Sequence, residues 1–168
     1  VEQALGGSPQ IEPTMDATNV GSISFFHDFS SPYSYLASTQ IQRIAEDCGV
    51  SIQYKPILLG ALFGSIGTAN IPMASYGAAK QAYIMRDMMD WSKWWGIPFQ
   101  FAPTFPMRTV TALRVALVDQ NTTAAIYKAA WVDGIDIGDK DALCAVLDKA
   151  GFNGEALIAQ TQDPDIKG

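Results

Sequence analysis

The segment His27-Asp-Phe-Ser-Ser-Pro-Tyr-Ser-Tyr35 concentrates the residue types that could do chemistry. Ser31 followed by Pro32 is a helix-start signal, a hydroxyl at the N-cap and a proline at the first helical position. The capping box is incomplete, because Ser34 stands where Glu or Gln would reach back. At such a start the backbone N–H groups point outward and the helix dipole is positive, which makes an anion site. A thiol held there would lose its proton more easily, as cysteines at helix N-termini do. The plain alternative is that Ser31 is a cap and nothing more. Asp28 reads as an acid able to move protons or, equally, as a local cap. His27 reads as a histidine satisfied by hydrogen bonds rather than as a base. A serine hydrolase is excluded: the chain has no G-x-S-x-G elbow, and its sole histidine would have to act as general base.

The elements that must position this segment follow from apolar spacing and breakers. Ser22 to Phe26 reads as a short buried strand. A helix opens at Ser31 and stops at Gly49, with Leu36, Ile41, Ile44 and Ala45 on its apolar face. Val50 to Tyr54 is a second strand, closed by Pro56. Strand, helix, strand at this spacing suits a right-handed crossover and a parallel pair. Ile57 to Asn70 is apolar and Gly-rich, a short helix and a loop. A long helix is expected from Tyr76 to Trp95, ending at Gly96, with Tyr83, Ile84, Met88, Trp91 and Trp95 at helical spacing. The Pro-punctuated GIPFQFAPTFP is a connector. Helices are then expected at 108–119, 122–132 and 139–150, with a short one at 153–162. Cys48 and Cys144 read as core residues on apolar helix faces.

The length of 168 residues suits one domain. Lys plus Arg is 11 and Asp plus Glu is 17, a net charge of −6 that disfavours nucleic acid and anionic lipid surfaces as partners. No stretch approaches the ~20 apolar residues of a membrane helix, and the opening VEQALGGSPQIEPT lacks the basic and apolar regions of a secretory signal. Two cysteines without CxxC spacing and a single histidine give no reason to expect a metal site. The expectation is a metal-free cytoplasmic domain, with residues 1–21 as an irregular tail and Met15 a plausible native start. Two strands against five or more helices make a very small sheet, which is marginal alone and open at its edges. Either another chain completes it or the sequence is a fragment of a longer domain, and the fragment is the favoured expectation.

FFHDFSSPYSYLA resembles the first strand and first helix of the thioredoxin-fold group that holds 2-hydroxychromene-2-carboxylate isomerases and kappa-class glutathione transferases, with DsbA-like disulfide oxidoreductases as distant relatives. In those oxidoreductases a Cys-x-x-Cys opens this helix. Here Ser31-Pro-Tyr-Ser34 replaces both sulfurs by hydroxyls, which rules out disulfide exchange through this motif. YKPILLGALFGSIG, Asn70-Ile-Pro72, the run from Tyr76 to Asp87, WGIPFQFAPTFP with Thr111-Ala-Leu-Arg114, and AAWVDGIDIGDKDAL extend the resemblance over about 22–167.

The resemblance implies an α/β, thioredoxin-like (DsbA-like) fold, with the βαβ unit at 22–57 and an inserted all-helical domain at 58–168. It also implies that the C-terminal half of the sheet, with a cis-proline segment, lies beyond Gly168. It implies glutathione as cofactor, Ser31 hydrogen-bonding the glutathione sulfur as the catalytic residue, and Asn70 and Lys80 lining the glutathione or substrate site. The implied chemistry is reversible addition of the glutathione sulfur to a conjugated aromatic or electrophilic small molecule, with isomerisation before the sulfur leaves. Conjugation by a kappa-like transferase is the alternative. A non-catalytic, truncated or domain-swapped relative is a third reading. A homodimer is the expected assembly.

Three further residues are assigned to substrate. Arg108 follows the Pro106 connector at a helix start, where a cation is misplaced unless it serves an anion. Asp28 lies beside Ser31. Trp91 belongs to a cluster with Trp94 and Trp95 that cannot all face inward, and Phe99, Phe101 and Phe105 could complete an aromatic pocket, against core packing as the default. Arg86 reads as the partner of Asp90 at i, i+4.

Overall fold

The computed structural model describes residues 21–69 and 71–167. The expectations for the tail up to residue 20 and for Asn70 lie outside these described residues. Strand β1 (Ser22–His27) pairs in parallel with β2 (Ser51–Pro56), Ser22 opposite Ser51 and His27 opposite Pro56. Helix α1 (Pro32–Cys48) makes the crossover between them. Among the described residues the sheet has these two strands alone. Along β1 the covered face carries Ile23, Phe25 and His27, while Phe26 points outward and is 57% exposed. Gly49 ends α1 at φ 65°, a left-handed conformation that costs glycine little.

The rest is helical: α2 (Leu59–Ser65), a 3₁₀ turn at Pro72–Ser75, α3 (Ala78–Trp95), α4 (Val110–Val118), a second 3₁₀ turn at Gln120–Thr122, α5 (Thr123–Trp131), α6 (Lys140–Lys149), α7 (Gly154–Gln160) and α8 (Pro164–Lys167). The long helix starts at Ala78 and not at Tyr76, because Gly77 is extended at its N-cap and Pro72 opens a turn of its own. Helix α4 starts two residues later than expected. Thr109 is its N-cap, so Arg108 stands in the connector before it. Asp139 and Asn153 cap α6 and α7 by accepting from Ala142 N and Ala156 N. No helix among the described residues is long and apolar enough to cross a membrane.

The core sits where α1, α3, α4, α5 and α6 meet, around Phe29, Leu36, Met88, Ile126, Tyr127, Trp131, Leu143 and Leu147. Trp131 is fully buried and donates its indole N–H to the Phe29 carbonyl at 2.8 Å. That bond anchors the β1–α1 turn to α5. Three expectations for single side chains are corrected. Ile44 is exposed, because α1 buries a narrower stripe than its apolar residues would fill; Tyr35, Leu36 and Ala45 make that stripe. Cys48 is exposed on the last turn of α1, beyond the packed stripe, and Cys144 is half-buried beside the buried stripe of α6. Trp94 is 80% exposed, as the crowding of three tryptophans requires. The pair Arg86–Asp90 forms at 3.5 Å on the surface.

Candidate active site

Ser31 has extended backbone (φ −95°, ψ 115°) at the N-cap of α1, and its Oγ accepts from Ser34 N at 3.2 Å. Ser31 N donates to the Asp28 carbonyl at 3.0 Å, which closes the turn out of β1. Because Oγ already accepts the Ser34 N–H, the hydroxyl proton is left to donate; among the described residues it has no protein acceptor. Ser31 opens onto a cavity of about 930 Å³ between the start of α1, the α2 segment, α3 and the connector before α4. Its walls are largely apolar, with Leu59, Phe63, Met73, Ile84, Met88 and Phe105 prominent. A donor at a helix N-terminus facing an apolar chamber is a setting that favours an anion such as a thiolate over bulk water.

The neighbouring polar groups hold this turn. Asp28 is buried, and its carboxylate accepts from Ser30 N at 3.0 Å and from Leu59 N at 2.8 Å, so both oxygens serve as caps. Ser30 Oγ accepts from Met107 N at 3.3 Å and ties the turn to the connector, where the Phe105–Pro106 peptide bond is cis. His27 is only half satisfied. Its Nδ1 lies 3.3 Å from Tyr127 Oη, but its buried Nε2 has no partner among the described residues, which corrects the expectation of a satisfied histidine. Burial pushes the imidazole down to about 4, against the opposing pull of the Asp28 carboxylate. Burial likewise raises the Tyr127 phenol, which also points at the Asp28 carbonyl at 3.3 Å.

Ser31, Asp28 and Arg108 line one cavity. Arg108 is exposed on its rim and makes no ion pair among the described residues. Beside it Thr109 caps no backbone N–H of α4. Lys80 does not line the cavity. Its ammonium lies 3.6 Å from the ring centre of Tyr76, which does. Trp91 does not line the cavity; its ring packs on that of Trp95, with ring centres 4.8 Å apart. Of the three connector phenylalanines, Phe105 reaches the cavity, while Phe99 and Phe101 pack against Trp131. Sequence reasoning passed over three residues: Ser30, which fixes the connector; Tyr76, which carries Lys80; and Tyr33, a cavity residue whose hydroxyl donates to Asp87 at 3.0 Å. The repeated hydroxyls around Pro32 were the available signal for Ser30 and Tyr33.

A family model for the DSBA-like thioredoxin domain matches residues 22–168. The chain belongs to this family. It is 27% identical over 142 residues to the 2-hydroxychromene-2-carboxylate isomerase of Pseudomonas putida, covering 80% of this chain and 68% of that protein. It is 36% identical over 156 residues to glutathione S-transferase kappa 1 of Caenorhabditis elegans, covering 84% of this chain and 68% of that protein. The chain thus spans about two thirds of the length of these relatives. A solved structure of 2-hydroxychromene-2-carboxylate isomerase superposes with a TM-score of 0.73 at 24% identity, over 87% of this chain and 73% of that one. The fold is therefore the DsbA-like thioredoxin fold, rich in helices, and the relatives that share it are enzymes of the isomerase and glutathione transferase type.

Proposed function

We propose that this chain carries the thiol site of a glutathione-dependent isomerase of the 2-hydroxychromene-2-carboxylate isomerase type. The observation that carries the reading is the Ser31 hydroxyl, locked by Ser34 N at 3.2 Å with its proton free to donate, on the wall of a large apolar cavity with Arg108 at its rim. These residues fit glutathione: an unpaired hydroxyl donor at a helix N-terminus for the sulfur, and cations for carboxylates. When bound, glutathione supplies a nucleophilic sulfur that can add to a conjugated small molecule and leave again. Ser31 holds that sulfur as thiolate by donating its hydroxyl proton, helped by the positive end of α1. Arg108 orients an anionic group of the substrate, the apolar walls exclude water, and Asn70 and Lys80 contribute to binding glutathione. Names and modest identities of the relatives support the same reading.

A kappa-like transferase is the second reading, favoured by the higher identity of 36% to the kappa 1 protein. One experiment tests the site and another separates the readings. Reduced glutathione is titrated into the chain with heat and thiolate ultraviolet absorbance as readouts, beside Ser31→Ala. Binding with a thiolate signal that the variant loses supports the site; binding with no thiolate signal overturns the role of Ser31. Mass spectrometry of the product then decides between the two reactions, since a product that retains the sulfur belongs to a transferase.

A further inference from the structure

Helix α2 forms one wall of the cavity through Leu59, Gly60, Ala61 and Phe63, yet none of its residues is buried. Its N-cap residue, Leu58, has no side chain that can cap it. The cap comes from another element. Asp28 Oδ2 accepts from Leu59 N at 2.8 Å across 31 positions of sequence, and Oδ1 accepts from Ser30 N at 3.0 Å. The carbonyl of the same residue accepts from Ser31 N at 3.0 Å and from Tyr127 Oη at 3.3 Å. One residue, 3% exposed, therefore binds the Ser31 turn, the core helix α5 and the loosely packed α2 wall. A carboxylate whose two oxygens both face backbone N–H groups is held by charge-assisted bonds, about twice as strong as neutral ones.

We propose that Asp28 is a positioning residue that couples the α2 wall to Ser31, and so sets how large a group can sit beside the sulfur bound at Ser31. The second half rests on the reading of a glutathione thiol site; the first half does not. Among the described residues, the other backbone bond between the two segments at this end, Ile57 N to the His27 carbonyl at 2.9 Å, lies before α2 begins. Without the carboxylate, α2 has neither a cap nor a buried side chain to fix it. Its distance from Ser31 then becomes variable.

Asp28→Ala removes both bonds and could also weaken the fold, so the deciding pair is Leu59→Pro against Leu59→Ala. Both shorten the side chain, but only proline deletes the N–H that Asp28 accepts. Residue 59 is the first helical position, where proline is well tolerated, and Leu58 is already extended (φ −87°, ψ 96°) as a residue before proline must be. Hydrogen exchange of the amides at 60–65 is measured without ligand. The expected result is exchange faster by about tenfold or more in Leu59→Pro and Asp28→Ala than in Leu59→Ala, with Asp28→Asn in between because its amide oxygen can still accept one of the two N–H groups. Equal exchange in Leu59→Pro and Leu59→Ala overturns the coupling. The affinity for S-hexylglutathione relative to glutathione is measured on the same proteins. A ratio that falls several-fold in Leu59→Pro but not in Leu59→Ala supports the size-setting role, and an unchanged ratio overturns it. If the wild-type chain binds neither compound, the thiol-site reading fails while the exchange result still judges the coupling.

Discussion

The hydroxyl of Tyr33 donates to the Asp87 carboxylate across 3.0 Å, joining the first turn of α1 to the middle of α3 at the edge of the cavity. Burial, together with the hydrogen bond and charge of Asp87, pushes the phenol up to about 12, so Tyr33 stays a donor throughout the neutral range. The bond is exposed, and exposed pairs of this kind are worth little. A double-mutant cycle of Tyr33→Phe and Asp87→Asn should give a coupling of about 0.5–1 kcal/mol by denaturant unfolding. A coupling indistinguishable from zero would mean that the two helices are held by packing alone.

Ser31 has a structural role that its proposed chemistry does not exhaust. Ser31→Ala should cost about 1 kcal/mol of stability through loss of the cap on Ser34 N, and Ser31→Asp should keep the cap. The two variants part company in function, because a carboxylate cannot donate to a thiolate and repels it. Chemical denaturation beside glutathione titration therefore separates cap from site: Asp retains stability and loses the thiolate signal.

His27 is the sole histidine, so its titration can be followed directly by nuclear magnetic resonance of the imidazole. Burial should bring its titration down to about 4, from the 6.5 usual for an imidazole in water. The unfolded chain then binds more protons than the folded one between these values. Stability is intact above about 6.5 and falls as the pH drops toward 4, by about 2 kcal/mol at pH 5 relative to pH 8. Urea midpoints across that range check the sign, and His27→Phe should flatten the dependence in this window.

Arg108 should matter only for anionic partners. Arg108→Gln should weaken binding of S-(4-carboxybenzyl)glutathione by about tenfold and leave S-benzylglutathione within about twofold, since a charge-assisted hydrogen bond is the term removed. Equal losses for both compounds would move Arg108 from the substrate to the glutathione end of the site.

Gly154 marks a close approach of α7 to α6. A Cβ placed there would lie 2.6 Å from the Cys144 carbonyl oxygen and 2.9 Å from its Sγ. The carbonyl belongs to helix backbone and cannot turn aside. Gly154→Ala should therefore destabilise the chain by about 1–3 kcal/mol in spite of the better helix propensity of alanine, as thermal unfolding would register.

Much of the site's local frame was legible in the chain. Ser31-Pro32 starts α1, Gly49 ends it, and the apolar runs on either side are the parallel strands, because capping, proline geometry and side-chain alternation are interactions among near neighbours. The surfaces of the helices were less legible. Ile44 and Cys48 lie on a face that periodicity marks as apolar, but how wide a stripe is buried depends on what packs against it. Position within a few residues of Ser31 said nothing of which distant groups would hold its turn in place. The carboxylate of Asp28 meets Leu59 N from 31 positions away, Ser30 meets Met107 N from 77, and His27 meets Tyr127 from 100.

The amino-acid order by itself determined a helix N-terminus with a hydroxyl and no cysteine, and with it the absence of disulfide exchange at this motif. Tertiary structure decided that Ser31 and Arg108 share one cavity, that Trp91 does not line it, and that Asp28 spends its charge on backbone N–H groups. The division has a physical cause. A cap closes within one helical turn and is written in adjacent residues, whereas a cavity exists only after segments distant in the chain have packed and left a space between them.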